Sequence, residues 1–270
     1  MTLIIIKQDG TRYNLRELGI RVIDFEPESL EVVNAVQEIE GGGYVVTNSG
    51  YGVRRLHATL QIKGYDMTDY ALFRAEVFAL FVGLESFYVI DEKVASRRWH
   101  VKPDGKFSIS RKNTNGTFDI TWLCVNKYAE SIATTSSFKE WDADVWSWDG
   151  TIDWDEDLQY VFNTNQFVVN NLGNAPIDPC ENELEIVIKA TAASYLQIVN
   201  STTGETYRFN GTLSTNDTLT IRGIQTFKNG VSSFKFTNHA LISLKDGLNN
   251  FVITGGTIHS IAFNFRFLYK

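Results

Sequence analysis

The chain has little proline, little cysteine, no long apolar run and no excess of positive charge, and each shortage excludes something. Prolines number four in 270 residues and low-complexity tracts are absent, so extended linkers and tails find no support. The two cysteines, Cys124 and Cys180, fall in different regions without C-x-x-C spacing. They read as free thiols of a reducing compartment, not as a disulfide or zinc framework. No apolar stretch approaches the roughly 20 residues that a membrane helix needs. The opening "MTLIIIKQDG" lacks a basic n-region and its apolar run is short, so it reads as a first strand and not as a signal peptide. Lys and Arg number 25 against 32 Asp and Glu, a net charge of -7. Only the pairs Arg54-Arg55, Arg97-Arg98 and Arg111-Lys112 gather positive charge. Counterion release needs larger basic clusters, so specific nucleic-acid binding is not expected.

What is present favours strands. Hydrophobic residues make up 43% and aromatics 13%, enough for a packed core and too much for disorder. Phe, Tyr, Val, Ile and Thr dominate many segments. Asp-Gly or Asn-Gly pairs begin at Asp9, Asp104, Asn115, Asp149, Asn210, Asn229 and Asp246, each able to supply a tight turn. Between them the pattern alternates. In "RRLHATLQIKG", Leu56, Ala58, Leu60 and Ile62 share one face; in "GTFDITWLCV", Phe118, Ile120, Trp122 and Cys124 do the same. One segment, "YDMTDYALFRAEVFALFVG", instead repeats at three and four through Tyr70, Phe73, Val77 and Phe81. It predicts a helix over about 68–82, capped by Asp66 or Thr68 and ended by Gly83. A second β-run follows, with Leu184, Ile186 and Ile188 inward in "ELEIVIK" and Ile261, Phe263, Phe265 and Phe267 inward in "SIAFNFRF". Short strands between regular turn signals suggest a sandwich there. Two β-modules, one carrying a helix, are the result.

Between them lies "FKEWDADVWSWDGTIDWDEDLQY", residues 138–160, with Trp141, Trp146, Trp148 and Trp154 among acidic side chains. Tryptophan is enriched in cores and at contact surfaces alike. The stretch reads first as a seam or hairpin arm between modules, then as a partner contact, then as a sugar platform. The four tryptophans are the candidate partner-contact or arm residues.

No catalytic, cofactor or metal site is expected. Asp153, Asp155 and Asp157 mimic the start of an EF-hand loop, but Leu158 stands where its glycine belongs and Thr164 where its bidentate Glu belongs. Glu183 and Glu185 are neighbours on one strand, the wet face of a sheet more than an acid/base pair across a cleft. His57, His100, His239 and His259 form no zinc spacing, and there is no G-x-S-x-G elbow. The glycine-rich "EIEGGGYVVTNSGYG" lacks a P-loop ending and reads as a long flexible β–β loop, of the kind found where subunits or partners meet.

The order of segments itself resembles a known family. It runs "YGVRRLHATLQIKGYD", "TDYALFRAEVFALF", "FYVIDEKVASRRWHVKPDG", "GTFDITWLCVNKYAES", "FVVNNLGNAPIDP" and "GLNNFVITGGTIHSIAFNFRFLYK". This is similar to the distal tail protein (Dit) family of long, flexible-tailed phages that infect Gram-positive bacteria. One departure is local: Lys127 precedes Tyr128 where relatives often have proline. The resemblance implies a mainly β fold, with an N-terminal β-barrel-like domain bearing one α-helix and a C-terminal galectin-like or jelly-roll β-sandwich. It implies domains over 1–138 and 166–270, with 139–165 as a tryptophan-rich acidic linker or hairpin. It also implies a structural virion protein and no enzyme: a homo-hexameric ring joining the tail tube to the tail-tip hub and letting DNA pass. Expected partners are further copies of the chain, the major tail tube protein, the hub or tail-associated protein, and the tape-measure and receptor-binding proteins. The alternative function is a lectin-like module for a host cell-wall saccharide. No cofactor and no membrane insertion are expected.

Overall fold

A computed structural model describes residues 1–137 and 158–270. Trp141, Trp146, Trp148 and Trp154, and the acidic triplet Asp153, Asp155 and Asp157, lie outside the described residues. Two compact units emerge, Met1–Ala129 (with Lys270 grouped to it) and Glu130–Tyr269. Mainly β structure with one α-helix among the described residues agrees with the reading from sequence.

The first unit is built from β1 (Leu3–Ile6), β2 (Arg12–Asn14), β3 (Arg21–Pro27), β4 (Val32–Glu38), β5 (Tyr44–Tyr51) and β6 (Arg55–Lys63). After the helix α1 (Met67–Phe81) come β7 (Phe87–Asp91), β8 (Arg97–Pro103), β9 (Ser110–Lys112) and β10 (Asn115–Cys124). Its main sheet runs β2-β1-β7-β8-β10-β6-β3, with β9 added to the start of β10. The alternation seen in the sequence sets its two faces. Leu56, Ala58, Leu60 and Ile62 of β6 lie in register with Trp122, Ile120, Phe118 and Gly116 of β10, and all are buried. Cys124 is only half-buried at the strand end; burial pushes its thiol up to about 11, so it stays protonated and inert.

Helix α1 covers the apolar face. Asp66 Oδ1 accepts from the Thr68 and Asp69 N–H groups at 2.8 Å each, satisfying donors that no helical carbonyl can reach. Tyr70, Val77 and Phe81 are buried as their spacing predicts, joined by Leu80, while Phe73 is half-buried. Phe81 meets Phe107, Phe118 and Trp122 with ring centroids 5.9–6.5 Å apart, an aromatic cluster that fastens helix to sheet.

One turn signal is overturned. Asn115-Gly116 opens β10 instead of closing a hairpin; the left-handed residue is Asn113, with φ 57°. Gly116 is there for closeness: a Cβ on it would stand 2.5 Å from Ile109 and 2.7 Å from the Tyr70 hydroxyl.

In the second unit, β11 (Ala129–Ser131) falls where the units divide, followed by β12 (Val161–Phe162), β13 (Gln166–Asn171), β14 (Leu184–Asn200) and β15 (Glu205–Asn210). Then come β16 (Leu219–Arg222), β17 (Gln225–Lys228), β18 (Val231–Ser232), β19 (Gly247–Phe265) and β20 (Leu268–Tyr269). The sheet order is β12-β19-β14-β16-β17-β18, with β13 on β19 and β15 on β14. The long antiparallel pair β14–β19 is its spine. Leu184, Ile186 and Ile188 face inward opposite Phe265, Phe263 and Ile261, as the alternation predicts. Phe162, Phe167, Phe251 and Phe263 stack beneath at centroid distances from 4.5 to 6.4 Å. Glu185, one of the carboxylates weighed above, is bound by Arg222 at 2.6 Å and holds two neighbouring strands together.

Candidate assembly interface

The segment read as a flexible glycine loop is mostly strand. β4 and β5 pair over Val32↔Tyr51 to Glu38↔Tyr44, leaving a turn of Ile39–Gly43. Gly41, Gly42 and Gly43 all have φ between 93° and 120°, a backbone open only to glycine. A bulge between Ala35 and Val36 twists the ribbon. The sequence hid this hairpin because neither of its faces is buried, so no alternation marks it.

The ribbon pairs with no other strand among the described residues, and all of its residues are exposed. Residues opposed in the register share a face, so Val32, Val36, Tyr44, Val46 and Tyr51 line one side; the 2.6 Å bond from Ser49 Oγ to Asn34 Oδ1 lies on that side too. Val32, Val36 and Tyr44 are 62%, 59% and 70% exposed. An isolated two-stranded ribbon is marginally stable in water, and an exposed apolar face of this kind, interrupted by the Asn34–Ser49 pair, is typical of a contact surface.

The root of the ribbon, by contrast, is held firmly. Buried Arg54 donates from Nε to the Glu28 carbonyl at 2.7 Å and lays its guanidinium 4.5 Å from the Trp99 ring centroid. Glu28 returns two contacts, to His57 Nε2 at 2.8 Å and to the Arg55 N–H at 3.0 Å. The His57 contact, foremost, and the Arg55 N–H hold the Glu28 carboxyl below its usual range. Arg55 in turn pairs with Asp104 at 2.8 Å, and the Gly52 N–H donates to the Glu31 carbonyl at 2.9 Å. Thus His57, exposed on the polar face of β6, braces the arm. A fixed root and an uncovered shaft suit an element that reaches outward.

Charge separates along the same line. Residues 28–53 contain Glu28, Glu31, Glu38 and Glu40 and neither Lys nor Arg. The rest of residues 1–129 holds sixteen Lys and Arg against twelve Asp and Glu. The unit is neutral as a whole, with an acidic arm on a basic body.

No group of three or more His, Cys, Asp or Glu side chains is placed to hold a metal ion among the described residues. No helix among them is long and apolar enough to cross a membrane.

Residues 8–124 match the family model of the phage tail protein RIFT-related domain. The match to a phage tail domain thus lies within the first unit. The match contains the arm, the helix and nearly all of the main sheet. Across the whole chain the fold is similar to the crystal structure of SPP1 Dit, described as a paradigm of the hub adsorption apparatus in Gram-positive infecting phages. The TM-score is 0.68 at 15% identity, over 99% of this chain and 100% of that one. A chain of the phage P2 baseplate in its activated conformation with Ca aligns over 98% of this chain and 97% of its own, at 10% identity and a TM-score of 0.43. No curated protein matches in sequence. The resemblance to distal tail proteins read from the segment order thus stands on a tail domain and on the fold of the full chain.

Proposed function

We propose that the chain is the distal tail protein of a long-tailed phage, a structural part of the tail tip that closes into a ring between tail tube and hub. The observation that carries this is the arm: a rigidly rooted β-ribbon with an uncovered apolar stripe, within the residues matched to a phage tail domain. Its stripe needs a covering layer, and another copy of the chain can supply it. An arm on one copy and a receiving surface elsewhere on the next is a heterologous contact, which generates a closed ring when the rotation closes. Six copies, as in the distal tail family, would leave a lumen for DNA. The ring would bind the tail tube protein on one side and the hub on the other, in the virion and, before that, in the host cytoplasm during assembly. The role needs no catalytic chemistry.

The test is mass in solution. Native mass spectrometry and negative-stain images of the full chain should show a ring, and replacing residues 38–44 with Asn-Gly should leave a folded monomer. A ring that survives loss of the arm tip, or a chain that stays monomeric in concentrated solution and binds a cell-wall saccharide, would overturn the reading.

A further inference from the structure

The ring reading leaves open what the arm fits against, and the following rests on that reading. The receiving surface must be uncovered in the single copy, basic enough to meet an acidic tip, and furnished with apolar side chains. The far end of the first unit's main sheet meets all three conditions.

There, β9 adds to the start of β10, and its outer edge carries no further strand among the described residues. Lys63 of β6 and Lys112 of β9 are both in register with Asn115 of β10, one on each side. They therefore share a face, about 10 Å apart across two strand spacings. Both are exposed, and no ion pair is recorded for either among the described residues. Beside them the turn into α1 leaves Tyr65 95% and Met67 49% exposed. Asp66 and Asp69 also sit in this turn, but they are engaged locally. Asp66 caps the helix, and Asp69 Oδ2 accepts the Tyr65 N–H at 2.7 Å. The arm tip presents the complementary set: Glu38 opposite Tyr44, then Ile39 and Glu40, all exposed. At about 3.3 Å per residue the shaft carries this tip about 25 Å from its root, far enough to reach a neighbouring body.

We propose that the arm tip of one copy docks on the β9 end of the next, with Glu38 and Glu40 against Lys63 and Lys112 and with Ile39 and Tyr44 against Tyr65 and Met67. The open edges of the ribbon and of β9 allow main-chain pairing between copies as well.

Charge reversal tests this with the full chain. The variant Glu38→Lys/Glu40→Lys has a basic tip and a basic receiver; Lys63→Glu/Lys112→Glu has an acidic tip and an acidic receiver. Each alone should associate at least about tenfold more weakly than the parent, because like charges now meet. An equimolar mixture of the two should recover association to within about threefold, since every contact in an alternating ring of even number is again opposite in charge. All four sites are exposed, so melting temperatures should match the parent and exclude misfolding as the cause. The docking proposal falls if either variant assembles like the parent, or if the mixture associates no better than its components. Should the tip deletion abolish the ring while charge reversals do nothing, the arm would still build the ring, by a different surface. A parent that never associates would remove both readings.

Discussion

Two long antiparallel pairs, one in each unit, show opposite uses of the same local structure. The pair β14–β19 and the arm β4–β5 both carry Val, Ala and Tyr at strand positions, and both are interrupted by bulges. In β14, burial alternates from Leu184 through Ala192 and resumes from Leu196 to Asn200. In β4 and β5 not one residue is buried. The difference is not propensity; it is the presence of a covering layer. Phenylalanines of β12, β13 and β19 pack together on the buried face of the first pair, whereas among the described residues only Tyr128 and Lys127 approach the second, both at Tyr51. Ladder hydrogen bonds contribute little net stability, so a ribbon without an apolar cover is unstable on its own. In the proposed ring, a second copy of the chain supplies that cover.

Truncation should expose the contrast most sharply. Phe263, 1% exposed among the rings of Phe162, Phe167 and Phe251, should cost about 3–5 kcal/mol on replacement by alanine. Thermal unfolding of the full chain should show a fall of several degrees. An unshifted transition would mean that this aromatic layer is not the core of the second unit. On the arm, Val36→Ser with Tyr44→Ser should change the stability of the monomer by no more than about 0.5 kcal/mol, as exposed sites do. The same double change should weaken association at least about tenfold, because large side chains at interface centres dominate binding. If it instead lowered the melting temperature of a monomer, the stripe would belong to an intramolecular core.

Legibility in the sequence followed burial. Strand β6, covered on one face along its whole length, was readable from alternation alone, and so were the helical stripe and the inward set of β14. The full extent of β14 and β19, 17 and 19 residues, was not, since register shifts at Lys189/Ala190 and Ala192/Gln197 break the period-two pattern. Asn115-Gly116 misled because glycine serves two ends, positive φ and close approach, and sequence does not separate them. The arm was legible only as a glycine-rich loop of the kind common where subunits or partners meet. Its charge was written in the chain all along: residues 1–129 are neutral, so the whole net charge of -7 belongs to residues 130–270, yet four Glu without Lys or Arg stand together over 28–53. The tryptophan stretch, the candidate favoured by composition, lies outside the described residues, and its role as a seam, arm or partner contact remains a proposal for direct substitution.

The smallest expected effect concerns acid and sets the units apart once more. The root of the arm is fastened by Glu28 and His57, whereas the β15–β17 region of the second unit is fastened by Asp217. Its Oδ2 accepts from the Ser214 N–H at 2.8 Å and the Ser214 hydroxyl at 2.9 Å, and its Oδ1 accepts from Asn229 Nδ2 at 2.7 Å. Lys228 Nζ adds a contact at 3.2 Å. These donors, the Ser214 N–H foremost, hold the carboxyl well below the ordinary carboxylate range. A depressed folded value means the stabilisation is complete above the unfolded value of about 3.9 and declines as pH falls through and below it. Between about pH 5 and pH 3 the unfolded chain takes up a proton that the folded loop refuses, so stability drops with acid. Asp217→Asn cannot titrate, so part of that acid dependence should vanish while the melting temperature at neutral pH falls slightly. Melting curves of parent and variant across this range decide the point. Parallel pH profiles would show that Asp217 is not the group that couples this loop to acid.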